Sequence, residues 1–388
     1  MTRIQTIIFL LNPVYVTLFW SIVLNAETKK KEVAKRFLGK FMLTAFILYL
    51  SHFFYFIEAY DIYVFFDPLY TLAYLLVYPM FYIYVRLLTI DKKFTVHKHG
   101  YYLIPAIVVF LFNTCGHLAL SYEERIFFTS SILTGEAEPD TLIFNIMHVI
   151  YLSGRFVFFL QLVLSLIFSF KHVLHHNSQL EHFFSNMEAR KLNWVLFFIV
   201  CISFTSVSSA ILVILGREKF LANENFLILP SVIFTTMLFY FGLLGSKQHA
   251  MTTESIVNQP NDALSNSIPI RLENQLIRLF EQDDIYLIKD LKIWDITEKL
   301  GTNRTYVSKI INQLYHKNFC SFVNHFRVQH AIELMKENVT LTNDEIGDMS
   351  GFGSETSFYR AFENETGMTV GKYRKEIKYK SASSTALS

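Results

Sequence analysis

Charge is scarce in this 388-residue chain: Asp, Glu, Lys and Arg make up 18% of it, against 52% hydrophobic residues. Soluble domains carry about 25% charged residues, so an ordinary water-facing surface is excluded over much of the length. Cysteine is rarer still, with Cys115, Cys201 and Cys320 far apart and unpaired in spacing. This excludes a disulfide framework and a cysteine zinc cluster, and neither a metal nor a cofactor is expected. A phosphate-binding glycine loop, a metalloprotease helix and a serine nucleophile elbow are all missing. The chain is therefore not expected to be an enzyme.

What it has instead is apolar length, with 39 Phe and 21 Tyr concentrated before residue 246. A bilayer core of about 30 Å needs roughly 20 apolar residues in a helix, because lipid offers no partner to unpaired backbone groups. Seven stretches qualify, over about residues 6–24, 38–57, 62–86, 101–120, 142–170, 192–215 and 225–245. Pro13, Pro68, Pro79, Pro105 and Pro230 should kink or start helices. Residues 1–24 could also be read as a secretory signal, but their basic flank is on the wrong side and no cleavage site is convincing.

Lys and Arg are retained in short cytoplasmic loops, so their distribution orients the spans. One side collects Lys29, Lys30, Lys31, Lys35, Arg36, Lys40, Arg86, Lys92, Lys93, Lys98, Lys171, Arg190 and Lys191. The other has Arg3, Arg125, Arg217 and Lys219, with an acidic loop around Glu123 to Asp140. The N-terminus is expected outside and Ser246 onward in the cytoplasm.

Residues 246–270 are polar and interrupted by Pro260 and Pro269, the composition of a linker. Residues 271–380 then turn to amphipathic helices of ordinary length, and 381–388 should be a disordered tail. In DITEKLGTNRTYVSKIINQL, Ile296 and Leu300 precede Gly301, while Val307, Ile310, Ile311 and Leu314 follow at helical spacing. Two short helices joined at a glycine make a helix-turn-helix. Thr302 or Asn303 should cap the second helix, leaving Arg304, Thr305, Ser308 and Lys309 facing out. The pattern recurs in LTNDEIGDMSGFGSETSFYRAFENETG, with Thr342 and Glu345 as a capping box, Gly351 at the turn and Ser354 as a cap. Between them, SFVNHFRVQHAIELM should form one joining helix.

These residues resemble the AraC/XylS family over about 280–376, most specifically in DITEKLGTNRTYVSKII, RVQHAIELM and GFGSETSFYRAFENETGMTVGKYRK. The resemblance implies a bacterial regulator whose two recognition helices enter successive major grooves of double-stranded DNA. Carried over residue by residue, the base-facing positions are Thr305, Ser308 and Lys309, then Thr356, Ser357 and Arg360. Asn303, Arg304 and Lys317 complete the expected DNA surface, with Lys317 on phosphate. One departure is Val370, where the family usually has proline.

Residues 271–380 hold 16 basic and 16 acidic side chains, so non-specific affinity for DNA should be modest. The first unit, with five basic residues and no acidic one from Lys299 to Ile332, should supply most phosphate attraction, joined by Lys372, Arg374, Lys375, Lys378 and Lys380.

Ionisable groups inside spans are costly and default to functional candidates. Asp67, Tyr70, Tyr74 and Tyr78 share a face of the third span, and Asn145, His148 and Arg155 share one of the fifth. With His52, Asn113 and His117 they suggest a polar chamber open to the outside, a candidate signal pocket made of Asp67, Tyr70, Tyr74, Asn145, His148 and Arg155. The plainer alternative is interhelical bonding with an Arg155 to Asp67 ion pair. His172, His175 and His176 resemble one histidine box of membrane di-iron enzymes, but further boxes are missing, and a solvated juxtamembrane segment is the simpler reading.

The expectation is an all-α protein: a seven-helix transmembrane bundle over 1–245, a linker over 246–270 and a tandem helix-turn-helix domain over 271–380. It would be a one-component transcription regulator of the bacterial inner membrane, touching lipid, DNA and an unknown small-molecule or envelope signal, with a homodimer among its arrangements. The alternatives are a membrane enzyme or transporter with an appended DNA-binding domain, and a constitutive DNA anchor.

Overall fold

The computed structural model describes residues 3–26, 32–134, 139–187, 190–215, 225–248 and 270–385. Most of the expected linker, 249–269, lies outside them, as do Lys29, Lys30, Lys31, Arg217 and Lys219. Apart from an isolated bridge between Phe184 and Lys292, regular structure among the described residues is helical. The fold is all-α, and it divides into two compact units, Met1–Leu174 with Leu192–Val257, and His175–Lys191 with Asn258–Ser388.

The first unit contains α1 (Arg3–Ala26), α2 (Val33–Phe56), α3 (Tyr60–Thr89), the short α4 (Val96–His99), α5 (Ile104–Ala119), α6 (Tyr122–Thr134), most of α7 (Leu142–Leu180), α8 (Asn193–Leu215) and α9 (Asn225–Lys247). Among the described residues, α1, α2, α3 and α7 are each long and apolar enough to cross a membrane. The fourth expected stretch is broken, with Val96–Tyr102 and Ile104–Ala119 meeting at 56°. Pro105 sits at the break and starts α5, as its missing N–H requires. Described apolar segments of α8 and α9 are shorter, Asn193–Ser206 and Ser231–Lys247.

Pro13 lies inside α1 and cannot donate to the carbonyl of Phe9. The Ser231 hydroxyl of α9 donates to that carbonyl instead, restoring the partner that the proline removes. Close approach between helices depends on small residues in the same way. A Cβ on Gly242 would stand 2.4 Å from the Trp20 ring, and one on Gly245 2.3 Å from Leu38. Trp20, Leu38, Met42, Phe81, Tyr84 and Phe241 form the centre of this unit's core.

The acidic loop expected around Glu123 to Asp140 contains a helix, α6. Ser121 and Glu124 cap it reciprocally, with Glu124 accepting from the Ser121 N–H at 2.7 Å. Phe128 packs on Phe144 and Met147, which gives the helix a buried side.

The second unit comprises α10 (Ile270–Glu281), α11 (Ile293–Leu300), α12 (Arg304–Tyr315), α13 (Phe319–Glu337), α14 (Asn343–Met349), α15 (Glu355–Thr366) and α16 (Val370–Thr385). The joining helix α13 buries Phe322, Val323 and Phe319 toward the first pair and Val328, Ala331 and Met335 toward the second. Phe358 and Phe362 of α15 are fully buried against it. Val370 is buried in that same core and begins α16, so an aliphatic side chain fills the place of the expected proline. The helix runs on to Thr385, past residue 381 where a disordered tail was expected.

Candidate DNA-binding surface

Each recognition helix is set by a glycine turn and a side-chain cap. Gly301 ends α11 at φ 58°, a left-handed conformation that a Cβ disfavours. Asn303 then caps α12, its side-chain oxygen accepting from the N–H groups of Thr305 and Tyr306 at 3.0 and 3.2 Å. Val307, Ile310 and Ile311 face the core, which leaves Thr305, Ser308 and Lys309 on the outer side, each half-buried. In the second unit Gly351 adopts φ 81°, and a Cβ there would lie 2.7 Å from the Leu287 backbone. Thr342 with Glu345 caps α14, and Ser354 with Ser357 caps α15.

Thr356 and Arg360 are exposed on α15. Ser357 is placed differently from the expectation, since its hydroxyl donates to the Ser354 carbonyl at 2.8 Å and is used within the cap. Lys317, expected on phosphate, is held between the two helix-turn-helix pairs. Its ammonium lies 2.8 Å from both carboxylate oxygens of Glu365, whose Oε1 is also 2.6 Å from His325 Nδ1. Burial would raise the Glu365 carboxyl, but Lys317 and His325 hold it below the usual range. Arg374 is committed as well, donating to Asn343 Oδ1 and the Leu341 carbonyl at 2.7 Å each, which pins α16 to the start of α14. Lys372 and Lys375 remain exposed.

The second unit's outer face is acidic at its edge. A hydrogen bond and repulsion from Asp344 hold the Glu355 carboxyl above its ordinary value. Basic side chains exposed on this half of the domain include Arg360, Lys372 and Lys375.

His175–Lys191 is part of this folded unit, which neither helical periodicity nor the helix-turn-helix motifs announced. Phe184 pairs with Lys292 in the isolated bridge, the Ile293 N–H donates to the Phe183 carbonyl at 3.0 Å, and the Ser185 N–H donates to the Leu291 carbonyl at 3.1 Å. Phe183 stacks on Trp294 at 5.7 Å, and the Arg304 guanidinium lies 4.6 Å over the Phe183 ring. Arg190 forms a two-point ion pair with Asp290 at 2.9 Å and lies over Phe184. Arg327, only 1% exposed, donates to the carbonyls of Tyr286 and Ile288 at 2.8 and 2.7 Å and to the Ser185 hydroxyl at 3.3 Å. Burial lowers its pKa to about 10, so it stays charged at neutral pH. His176, Phe183 and Phe184 are buried, so the segment is not the solvated one expected, although His175 and His182 are exposed. The aromatic pair Phe183–Phe184 was the available clue, since two adjacent Phe in a polar loop need a surface to cover them.

The six residues of the expected signal pocket separate into two groups. Asp67 on α3 accepts from Tyr63 at 2.9 Å and Asn113 at 3.1 Å, and lies 2.6 Å from His117 Nε2. Asn113 also donates to Thr71 at 3.0 Å, and Tyr70 meets His52 at 3.3 Å. Tyr74 lies beside Tyr70 in the same row. Asn145, His148 and Arg155 instead lie on the exposed side of α7. Asn145 donates to Asp140 at 3.0 Å, and Arg155 lies 4.3 Å over Tyr151. Asp67 thus has His117 as its basic partner, and no Arg155 to Asp67 ion pair forms among the described residues.

The loop histidines have separate partners. His99 Nε2 is 3.1 Å from Asp91, which also binds Arg86 and Lys98, and His172 Nε2 is 3.2 Å from the Tyr82 hydroxyl. Burial would raise the Asp91 carboxyl, but these three bases lower it more. Among the described residues, no group of three or more His, Cys, Asp or Glu is arranged to hold a metal.

Residues 296–376 match the model of a helix-turn-helix domain. The chain is 32% identical over 87 residues to the Msm operon regulatory protein of Streptococcus mutans, a match covering 22% of this chain and 31% of that protein. It is 30% identical over 94 residues to an uncharacterized HTH-type transcriptional regulator of Staphylococcus aureus strain COL, covering 24% of this chain and 12% of the relative. The chain therefore spans less than a third of the length of these curated relatives. No solved structure matches it.

Proposed function

We propose that this chain, whose C-terminal domain is an AraC-type tandem helix-turn-helix, is a one-component transcription regulator of the bacterial inner membrane that senses its signal in the apolar unit. The carrying observation is that one chain joins bilayer-length helices to two capped recognition helices. Its partners are double-stranded DNA and the lipid bilayer. Bases are read by Thr305, Ser308 and Lys309 in one groove and by Thr356 and Arg360 in the next, with Asn303 fixing the first helix. Lys309 and Arg360 suit guanine edges, and the threonines suit several bases.

Signal reception belongs to the cluster of Asp67, Tyr70, Tyr74, Asn113 and His117, on the outer half of the spans if the N-terminus is outside. It pairs a carboxylate with an imidazole among tyrosines, chemistry suited to a small polar or cationic ligand, or to external pH. Arg155, His148 and Asn145 lie apart from it and suit contact with lipid headgroups or a second copy.

Reporter fusions after Lys35, Glu136 and Lys247, with transcript mapping in a deletion strain, test the reading. The expected result is cytoplasmic signal after Lys35 and Lys247, external signal after Glu136, and a defined set of altered promoters. An external fusion after Lys35 would contradict the topology and the DNA-binding role together.

A further inference from the structure

The DNA-binding unit is entered by the chain twice. One entry is through residues 249–269, and the other is through α7, a single helix that begins in the first unit and ends at Leu180 in the second. The turn that follows lies along the edge of the first helix-turn-helix. Its backbone bonds at Phe183, Phe184 and Ser185 fix Leu291, Lys292 and Ile293, the residues that lead into α11. The Glu181 carbonyl accepts from the Cys320 N–H at 3.0 Å, and the Glu181 side chain from Asn318 at 3.2 Å, both at the start of α13. Both ends of the first helix-turn-helix are therefore gripped by one short segment.

That segment also engages a side chain of the recognition helix itself. Arg304 is the first residue of α12, and its guanidinium rests on the Phe183 ring, half-buried. A cation held on an aromatic face is attracted by the ring's electron density, the more so as it is desolvated. Burial lowers the Arg304 pKa, in keeping with a guanidinium withdrawn from water. At the N-terminal edge of a recognition helix, an arginine released from such a ring would meet a phosphate of the groove wall.

We infer that residues 181–186 form a strap between the membrane helices and the first helix-turn-helix, and that it withholds Arg304 from the DNA backbone by seating it on Phe183. The inference rests on the DNA-binding reading given above and specifies how that surface is regulated. Movement of α7 on signalling would lift Phe183 from α12 and add one phosphate contact to the first helix-turn-helix.

Full-length protein in lipid nanodiscs, titrated with a random-sequence DNA duplex over a range of salt, tests this. Phe183→Leu keeps the site apolar and removes the ring, and it should steepen the dependence of log affinity on log salt by about one unit. Phe183→Tyr keeps the ring and should retain the wild-type slope, while adding Arg304→Ala to Phe183→Leu should abolish the gain. Amide exchange over α12 accompanies each titration. An unchanged or shallower slope for Phe183→Leu would overturn the strap, and so would α12 losing protection, which would make Phe183 purely structural. If no form of the protein bound DNA, the functional reading would fail with it, whereas wild-type binding with an unresponsive Phe183→Leu would overturn the strap alone.

Discussion

The two helix-turn-helix pairs have the same plan and different dependence on the rest of the chain. The second is closed by its own residues: Thr342 and Glu345, Ser354 and Ser357, a left-handed Gly351, and the Arg374 tie from α16. The first relies on a distant segment, through the Phe183, Phe184 and Ser185 backbone and the buried Arg327. A motif that appears twice can thus differ in how much of the chain beyond it holds it in place. The stretch around the first copy, Lys299 to Ile332, also holds five basic residues and no acidic one.

The largest expected effect comes from removing Arg327, the cation between the two pairs. Arg327→Leu leaves the Tyr286 carbonyl unpaired in the interior, at about 1 to 3 kcal/mol, and strips the Ile288 carbonyl of one of its two donors, the Leu291 N–H remaining at 3.1 Å. Unfolding of the second unit, followed by Trp294 emission, should shift by several kcal/mol in all. A shift below about 1 kcal/mol would mean that the strap and both pairs cohere without it.

The glycine turns give a direct contrast between the copies. Gly301→Ala meets nothing within 4 Å and should cost about 1 kcal/mol, the strain of a left-handed alanine. Gly351→Ala incurs the same strain and also drives a methyl into the Leu287 backbone, so it should be clearly the more damaging. Equal losses in chemical denaturation would mean that the second turn is looser than its geometry.

Reading of bases should divide between the copies. Lys309→Ala is expected to weaken operator binding by roughly 1 to 3 kcal/mol and relax one base position, with Arg360→Ala doing so in the other half-site. Competition assays with single-base variants measure this, and uniform loss on every sequence would reassign the residue to backbone contact.

The smallest effect concerns Lys317, Glu365 and His325. The folded Glu365 pKa is depressed, so its stabilisation is present above the unfolded value, roughly 4, and is lost as pH falls through the folded one. Lys317→Ala should lower stability by about 1 kcal/mol or less at neutral pH and flatten its acid dependence. Urea unfolding at several pH values reads this, and a change in salt slope for DNA without a change in stability would return Lys317 to phosphate.

Periodicity carried most of the fold. The turns at Gly301 and Gly351 and the caps at Asn303, Thr342 and Ser354 were legible because each depends on residues within a few positions. The α6 cap at Ser121 and Glu124 was equally local, but the acidic composition of its surroundings obscured it. Shared faces proved a weaker guide: Asn145, His148 and Arg155 do line up on α7, yet that side is exposed and Asp67 takes His117 instead. The strap was not legible, because its bonds join residues more than 100 positions apart and run through backbone atoms that every sequence possesses.

In the function proposed above, one protein reads DNA with both helix-turn-helix pairs while anchored by its apolar helices. The most direct measurement is selection of bound duplexes from a randomised pool by the full-length protein in nanodiscs, repeated with Lys309→Ala and Arg360→Ala. The expected outcome is an enriched site with two half-sites about one helical turn, roughly 10 base pairs, apart, each variant blurring a different half. Enrichment of no motif, or of one that both variants blur in the same half, would contradict it.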